Sequence, residues 1–174
     1  MEGKLKGKVA IITGGASGIG EAVGRIFASN ECKVALIDTD SERLSRVTKE
    51  ICEQGGDCIS YHTDVANEQQ VIDTFADVVK KWGGLDLLVN SAGKDSLSPP
   101  VSEVTMEEWR MILDTNLDGV FLCCREAFRI MEKQESGGRI MNMGSSSARL
   151  ASSPGHSPYR ASKHGMMGFS KNIL

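Results

Sequence analysis

The sequence predicts a doubly wound α/β domain, a parallel sheet with helices on both faces in three layers. Two observations carry this. Short apolar runs, beginning with Val9-Ala10-Ile11-Ile12 and Val34-Ala35-Leu36-Ile37, have the character of strands buried on both faces. Segments with helical apolar spacing stand between the runs, in strict alternation and with short connections, as right-handed crossovers require. Glycine adds a third: several of the 19 glycines cluster where a backbone must come close to something else.

The first strand runs into Thr13-Gly14-Gly15-Ala16-Ser17-Gly18-Ile19-Gly20, and a helix follows from Glu21 to Ser29. The second strand ends at Asp38. Residues 41–53 are helix-like, and Gly55-Gly56 stops them. Residues 58–62 read as a third strand leading to Asp64-Val65. Asn67 is a helix N-cap, and that helix runs through Trp82 to Gly83-Gly84. Residues 85–89 form a fourth strand, and 94–104 are polar and proline-bearing, hence loop. Thr105-Met106-Glu107-Glu108 has the pattern of a capping box and opens a long helix towards Met131. Residues 139–143 are a fifth strand. A Ser- and Pro-rich loop and a helix bearing Tyr159 and Lys163 complete the chain. No repeat, linker or low-complexity tract divides residues 1–174, so one domain is expected.

Composition narrows the function. The chain has 174 residues, 40% hydrophobic and 25% charged, with a formal net charge of -3. That balance gives no electrostatic case for nucleic acid or an anionic membrane as partner. No run approaches a membrane span, and no apolar stretch follows the first lysines as a secretory signal would need. A cytoplasmic location is the expectation. The five cysteines (Cys32, Cys52, Cys58, Cys123, Cys124) have no metal-like spacing. They read as reduced thiols, mostly buried, with Cys123 and Cys124 on different helix faces. No metal site is expected.

In doubly wound sheets, ligands bind at the carboxyl ends of the strands. The glycines of the first strand-to-helix turn let a diphosphate approach the backbone, and the helix N-terminus offers it free N–H groups. Asp38 ends the second strand about twenty residues further on, where a carboxylate accepts ribose hydroxyls. Its charge opposes a 2'-phosphate, and no arginine or lysine stands at Gly15, Ser17 or Thr39. NAD(H) is therefore expected over NADP(H). Asn90-Ser91-Ala92-Gly93 ends the fourth strand with small residues, and the Asn90 amide can tie neighbouring strands together. Asn116 lies inside the long helix, where asparagine has poor propensity. Tyr159 and Lys163, four residues apart, share a helix face. A lysine charge near a phenol favours the phenolate and readies it for acid–base work.

Together TGGASGIG, Asp38, Asp64-Val65, NSAG at 90–93, Asn116, the serines after the fifth strand and YRASK resemble the short-chain dehydrogenase/reductase family, of classical NAD(H)-dependent type. The resemblance spans nearly the whole chain. It implies a Rossmann fold, and a cofactor site of Gly14, Ser17, Gly18, Ile19, Gly20, Asp38, Asp64, Val65, Asn90, Ala92 and Gly93, with Tyr159 and Lys163. It implies Tyr159 as general acid/base, Lys163 on the nicotinamide ribose, a serine orienting the substrate oxygen, and Asn116 holding a water that connects Lys163 to solvent. Counting back from Tyr159 by the family's spacing selects Ser146. Counting forward from the fifth strand selects Ser145.

Family members usually continue past this helix with further strands and a substrate-covering segment, so the chain is expected to lack their C-terminal part, including the final strands. The implied activity is hydride transfer between NAD(H) and a secondary alcohol or ketone, 3-oxoacyl thioesters among them. The alternatives are a non-catalytic NAD-binding relative and an enzyme using NAD transiently, as in epimerisation or dehydration. A homotetramer or homodimer, built on the long helix and the Tyr159 helix, is implied for the complete protein.

Overall fold

The computed structural model describes residues 3–95, 99–146 and 155–172. Five parallel strands form one sheet in the order β3-β2-β1-β4-β5. They are β1 (Val9–Thr13), β2 (Lys33–Asp38), β3 (Asp57–His62), β4 (Leu87–Asn90) and β5 (Arg139–Asn142). The helices are α1 (Gly18–Ser29), α2 (Ser41–Glu53), α3 (Glu68–Trp82), α4 (Met106–Leu113), α5 (Gly119–Met131) and α6 (Ser157–Ser170). The chain winds outward from β1 to β3, then returns past β1 and winds the other way. The doubly wound expectation therefore holds.

Two apolar layers sandwich the sheet, because strand residues alternate between its faces. Ala10, Ile12, Val34 and Leu36 face α1 and α2, beside Leu44, Val47 and Ile51. Ile11, Ala35, Ile37 and Leu88 face α3 and α5, beside Val71, Phe75, Val78 and Ala127. Each large side chain so buried contributes about 1.5–3 kcal/mol. β5 forms the sheet's edge among the described residues, and its Met141 is 51% exposed.

Most helix ends carry the stop and start signals the sequence shows. Asn67 accepts from the Gln70 N–H, and Gly83 takes the left-handed conformation that ends α3. Thr105 and Glu108 form a full capping box on α4. The expected long helix does run from there to Met131, but Asp114–Asp118 are wound more widely, as a π turn. The helix before β2 begins at Gly18 rather than Glu21.

Strand ends shift for identifiable reasons. Leu85, expected in β4, lies before the ladder, because its N–H and C=O pair with the side chain of Gln134 (2.9 and 3.0 Å). β4 instead gains Asn90, which pairs with Asn142, and β5 ends there, one residue before Met143. β3 starts one residue early, at Asp57. The Ser- and Pro-rich loop falls largely on residues 147–154, outside the described residues. The five cysteines are free thiols and all but Cys52 are buried. Cys123 and Cys124 do face different surroundings, yet both are inside: Cys123 among apolar side chains, Cys124 against Asn90 and Asn142.

Thr13 joins the two halves of the sheet at its carboxyl end. Its Oγ1 accepts from the N–H groups of Ser91 (3.1 Å) and Ala92 (3.0 Å). Replacing it by the isosteric valine strands both donors. Thr13→Val should lower unfolding stability by about 1–3 kcal/mol, read from urea denaturation midpoints at unchanged slope.

Candidate functional site

The reversal of winding between β1 and β4 opens a cleft of about 350 Å3 beyond their carboxyl ends. Glycines shape its near wall. Gly14 has φ 70°, and a Cβ there would lie 2.8 Å from the Ala92 nitrogen. A Cβ on Gly20 would lie 2.1 Å from the Gly14 oxygen, so the first turn of α1 packs directly on the loop. Gly18 has φ 56° and open space where its Cβ would be. The first N–H groups of α1 lack intrahelical acceptors. With Ser17 and Gly18 on the cleft wall they form an anion-binding end. Ile19, 57% exposed, offers an apolar face to the same cleft.

The opposite wall comes from the ends of β2 and β3. Asp38 accepts from the Ala16 N–H (3.0 Å) through one oxygen and from the Asp40 N–H (3.0 Å) through the other. The carboxylate is thus held in place by backbone donors while facing the cleft. Asp64 and Val65 line it further along, with Val65 pressed on by Gly119 at the start of α5. Ala92 and Gly93 form the floor.

Four residues of the expected cofactor set, Gly20, Asn90, Tyr159 and Lys163, are not among those that line the cleft. Asn90 is buried and donates to Asn142 Oδ1 (2.8 Å) and Cys124 Sγ (3.3 Å), linking β4, β5 and α5. It ties strands together, as one of the sequence readings had it.

Gly93 connects the cleft to α6. A Cβ on it would lie 3.4 Å from Asn116 Oδ1 and 3.9 Å from Lys163 Nζ. Asn116 is fully buried in the π turn. It accepts from the Lys94 N–H (2.7 Å) and donates to the Lys94 carbonyl (2.8 Å) and Ser162 Oγ (3.2 Å). Both amide hydrogens are thereby used to join the loop after β4 to α6. Lys163 is buried, its Nζ 5.8 Å from the Tyr159 ring centroid, and it donates to the Met143 carbonyl (2.9 Å). Burial pulls its pKa below the ordinary lysine value of 10.5. Tyr159 and Ser145 are half-buried, and Ser146 is exposed. Ser145 stands two residues beyond the carbonyl that Lys163 grips.

Sequence reasoning missed Thr13, which holds the cleft floor, and Ser91, Lys94 and Thr115, which line it. Lys94 adjoins the NSAG motif and Thr115 adjoins Asn116, so adjacency was their only signal. Among the described residues no helix is long and apolar enough to cross a membrane, and no three His, Cys, Asp or Glu gather as metal ligands.

A glycine-lined cleft at the switch point, with a helix N-terminus on one wall and a strand-end carboxylate on the other, defines a dinucleotide-binding α/β domain. Residues 8–174 match the family model described as short chain dehydrogenase, and the chain belongs to that family. It is 36% identical over 171 residues to a 3beta-hydroxysteroid dehydrogenase of Mediterraneibacter gnavus, an alignment covering 98% of this chain and 61% of that protein. It is 36% identical to a 3-oxoacyl-[acyl-carrier-protein] reductase of Synechocystis sp., covering 97% and 68%. Among solved structures, a short chain dehydrogenase from Burkholderia cenocepacia in complex with NADP superposes with a TM-score of 0.90 at 31% identity, covering 98% and 68%. A dehydrogenase/reductase from Sinorhizobium meliloti gives 0.88 at 36%, covering 95% and 64%. The chain thus spans roughly three fifths to two thirds of these relatives, and the family is one that binds a nicotinamide cofactor.

The buried ammonium of Lys163 makes stability depend on pH. Its folded pKa is depressed, so the folded chain bears the cost of the charge below that pKa. The cost is relieved as pH rises from the folded value towards 10.5, because only the unfolded chain still binds the proton there. Denaturation of wild type and Lys163→Met at pH 7 and pH 10 should show wild type gaining relative to the variant at the higher pH.

Proposed function

We propose that the chain forms the cofactor-binding and proton-transferring part of an NAD(H)-dependent oxidoreductase that interconverts a secondary alcohol and a ketone. The observation that carries this reading is the position of Lys163. It is buried with its Nζ 5.8 Å from the Tyr159 ring centroid, and a Cβ on the cleft residue Gly93 would lie 3.9 Å from that Nζ. This supports a reading in which phenol and ammonium meet one end of a bound dinucleotide. The chain's residues fit such a cofactor. Gly18 leaves open space for a diphosphate, Gly14 lets the loop pack on Ala92, the α1 N-terminus would face the diphosphate, and Asp38 stands where ribose hydroxyls would donate. Asp38 favours NAD(H), since its charge opposes a 2'-phosphate, although one structural relative is known in complex with NADP. Asp64 and Val65 would border the adenine.

Hydride exchange with the reacting carbon is the chemistry the nicotinamide supplies when bound. Tyr159 passes the proton to or from the substrate oxygen through its hydroxyl. Lys163 holds the ribose end and the tyrosine in one geometry, while the Met143 carbonyl fixes its ammonium. Ser145 is the better choice to orient the substrate oxygen, because it is half-buried two residues from that carbonyl while Ser146 is exposed. Steroid-like, small-alcohol and 3-oxoacyl thioester substrates all present the required carbonyl, and relatives named for the first and last exist. A cytoplasmic homo-oligomer belongs to the same reading. Phe121 and Phe128, over a third exposed on α5, supply apolar surface for association.

Absorbance of NADH at 340 nm with a panel of secondary alcohols tests the proposal; an NAD-binding chain that never accumulates NADH would overturn it. Tyr159→Phe should lower turnover 10²–10⁴-fold while leaving NAD affinity nearly unchanged. Ser145→Ala should do likewise, and Ser146→Ala should not. Asp38→Ala should raise the KM for NAD roughly tenfold and narrow the preference over NADP. A wild type preferring NADP would remove the role given to Asp38.

A further inference from the structure

The first turn of α6 begins in an unusual way. His156, immediately before it, has φ 62° and ψ 17°, a left-handed conformation uncommon outside glycine that histidine adopts more readily than most residues. Its side chain makes a contact across the site: His156 Nδ1 lies 3.0 Å from Asp95 Oδ1. Asp95 closes the segment Ser91 to Asp95, four residues of which line the cofactor cleft.

Among the described residues this is the only polar side-chain contact that residues 156–160 make with another element. Ser157 Oγ and Arg160 Nε and Nη2 are buried without partners. Tyr159 meets Lys163, a residue of its own helix. Ser162 bonds back to the Tyr159 carbonyl. The segment after β4 is therefore gripped at two neighbouring residues, Lys94 from inside by Asn116 and Asp95 from outside by His156. Asn116 also reaches Ser162, so both grips end on α6, one turn either side of Tyr159.

We infer that Asp95 and His156 are positioning residues for Tyr159: a clasp that locks the left-handed start of α6 and fixes the phenol against the cleft. The inference rests on the oxidoreductase reading for its effect on turnover, though the clasp itself does not. The His156 carbonyl accepts from the Arg160 N–H, so a rotation at His156 is passed directly to the turn that carries the phenol. The long tyrosine side chain amplifies such a rotation at its hydroxyl, and an error of about 1 Å in a reacting group costs on the order of 100-fold in rate. Neither residue needs to touch the reacting atoms.

The test is a double-mutant cycle on the full chain with Asp95→Ala, His156→Gly and the pair. Glycine adopts the left-handed conformation freely, so His156→Gly removes the ring without straining the fold. Amide hydrogen exchange reads the clasp without any substrate. Each single variant should speed exchange at both Lys94 and Arg160 by about tenfold, and the pair should add little to either. Unchanged exchange in the single variants, or additive effects in the pair, would overturn the clasp. With an alcohol that the wild type oxidises, kcat should fall roughly 10–100-fold while the KM for NAD stays within about twofold. Coupled exchange with an unchanged kcat would overturn the positioning role. A wild type that oxidises no alcohol would count against the proposed function, and the exchange cycle would still decide the clasp.

Discussion

The backbones of Gly14 and Ala92 touch, and the rest of the site depends on that contact. A single Cβ at Gly14 would sit 2.8 Å from the Ala92 nitrogen and 2.9 Å from its Cα. Beside it, Thr13 gives its one hydroxyl oxygen to two successive N–H groups of the facing segment. β1 and β4 are thus held together at the place where the winding of the sheet reverses, and their loops must part just beyond it. The cleft is the space between those loops. Its width follows from a missing side chain and from two hydrogen bonds.

From that floor, constraint passes to α6 through Asn116. An asparagine in the middle of a helix is a weak helix former, and here the helix widens around it into a π turn. The widened turn aims the amide inward, where it satisfies both the N–H and the C=O of Lys94 and reaches Ser162. One side chain closes the backbone of an irregular segment that has no strand or helix to pair with, as buried backbone groups require. The irregularity of the helix and that of the loop therefore have a common cause.

Much of this was legible in the sequence, and the limits of legibility are physical. Alternating apolar runs reported the sheet because burial on both faces leaves no room for polar residues, and Asn67, Gly83 and Thr105 marked helix ends through chemistry confined to a few neighbouring positions. Gly14, Gly18 and Asp38 were readable because a tight turn and a strand end constrain residue type locally. Distant pairings were not readable. Gln134 displaces Leu85 from its ladder across 49 residues, and His156 meets Asp95 across 61. Nothing near either member of such a pair records the other. Asn116 fell between the two cases: its poor propensity marked it as special, but its partners appear only in three dimensions.

Lys163 shows what such an arrangement costs and why it can persist. A buried ammonium with a carbonyl acceptor and, among the described residues, no carboxylate partner is a poor choice for stability, since desolvation opposes its charge. The fold accommodates it by placing it where three fixed groups converge. The Met143 carbonyl is set by β5 pairing with β4, Gly93 is set by the Thr13 and Asn116 contacts, and the Tyr159 ring is set by α6. A surface lysine would have escaped the cost but would also sample many positions, because its stem is flexible. Held in this way, the ammonium has one position relative to the phenol and the cleft. In the proposed reaction the phenol acts on the substrate and the ammonium on the cofactor beside it, so this fixed geometry is what the lost stability secures.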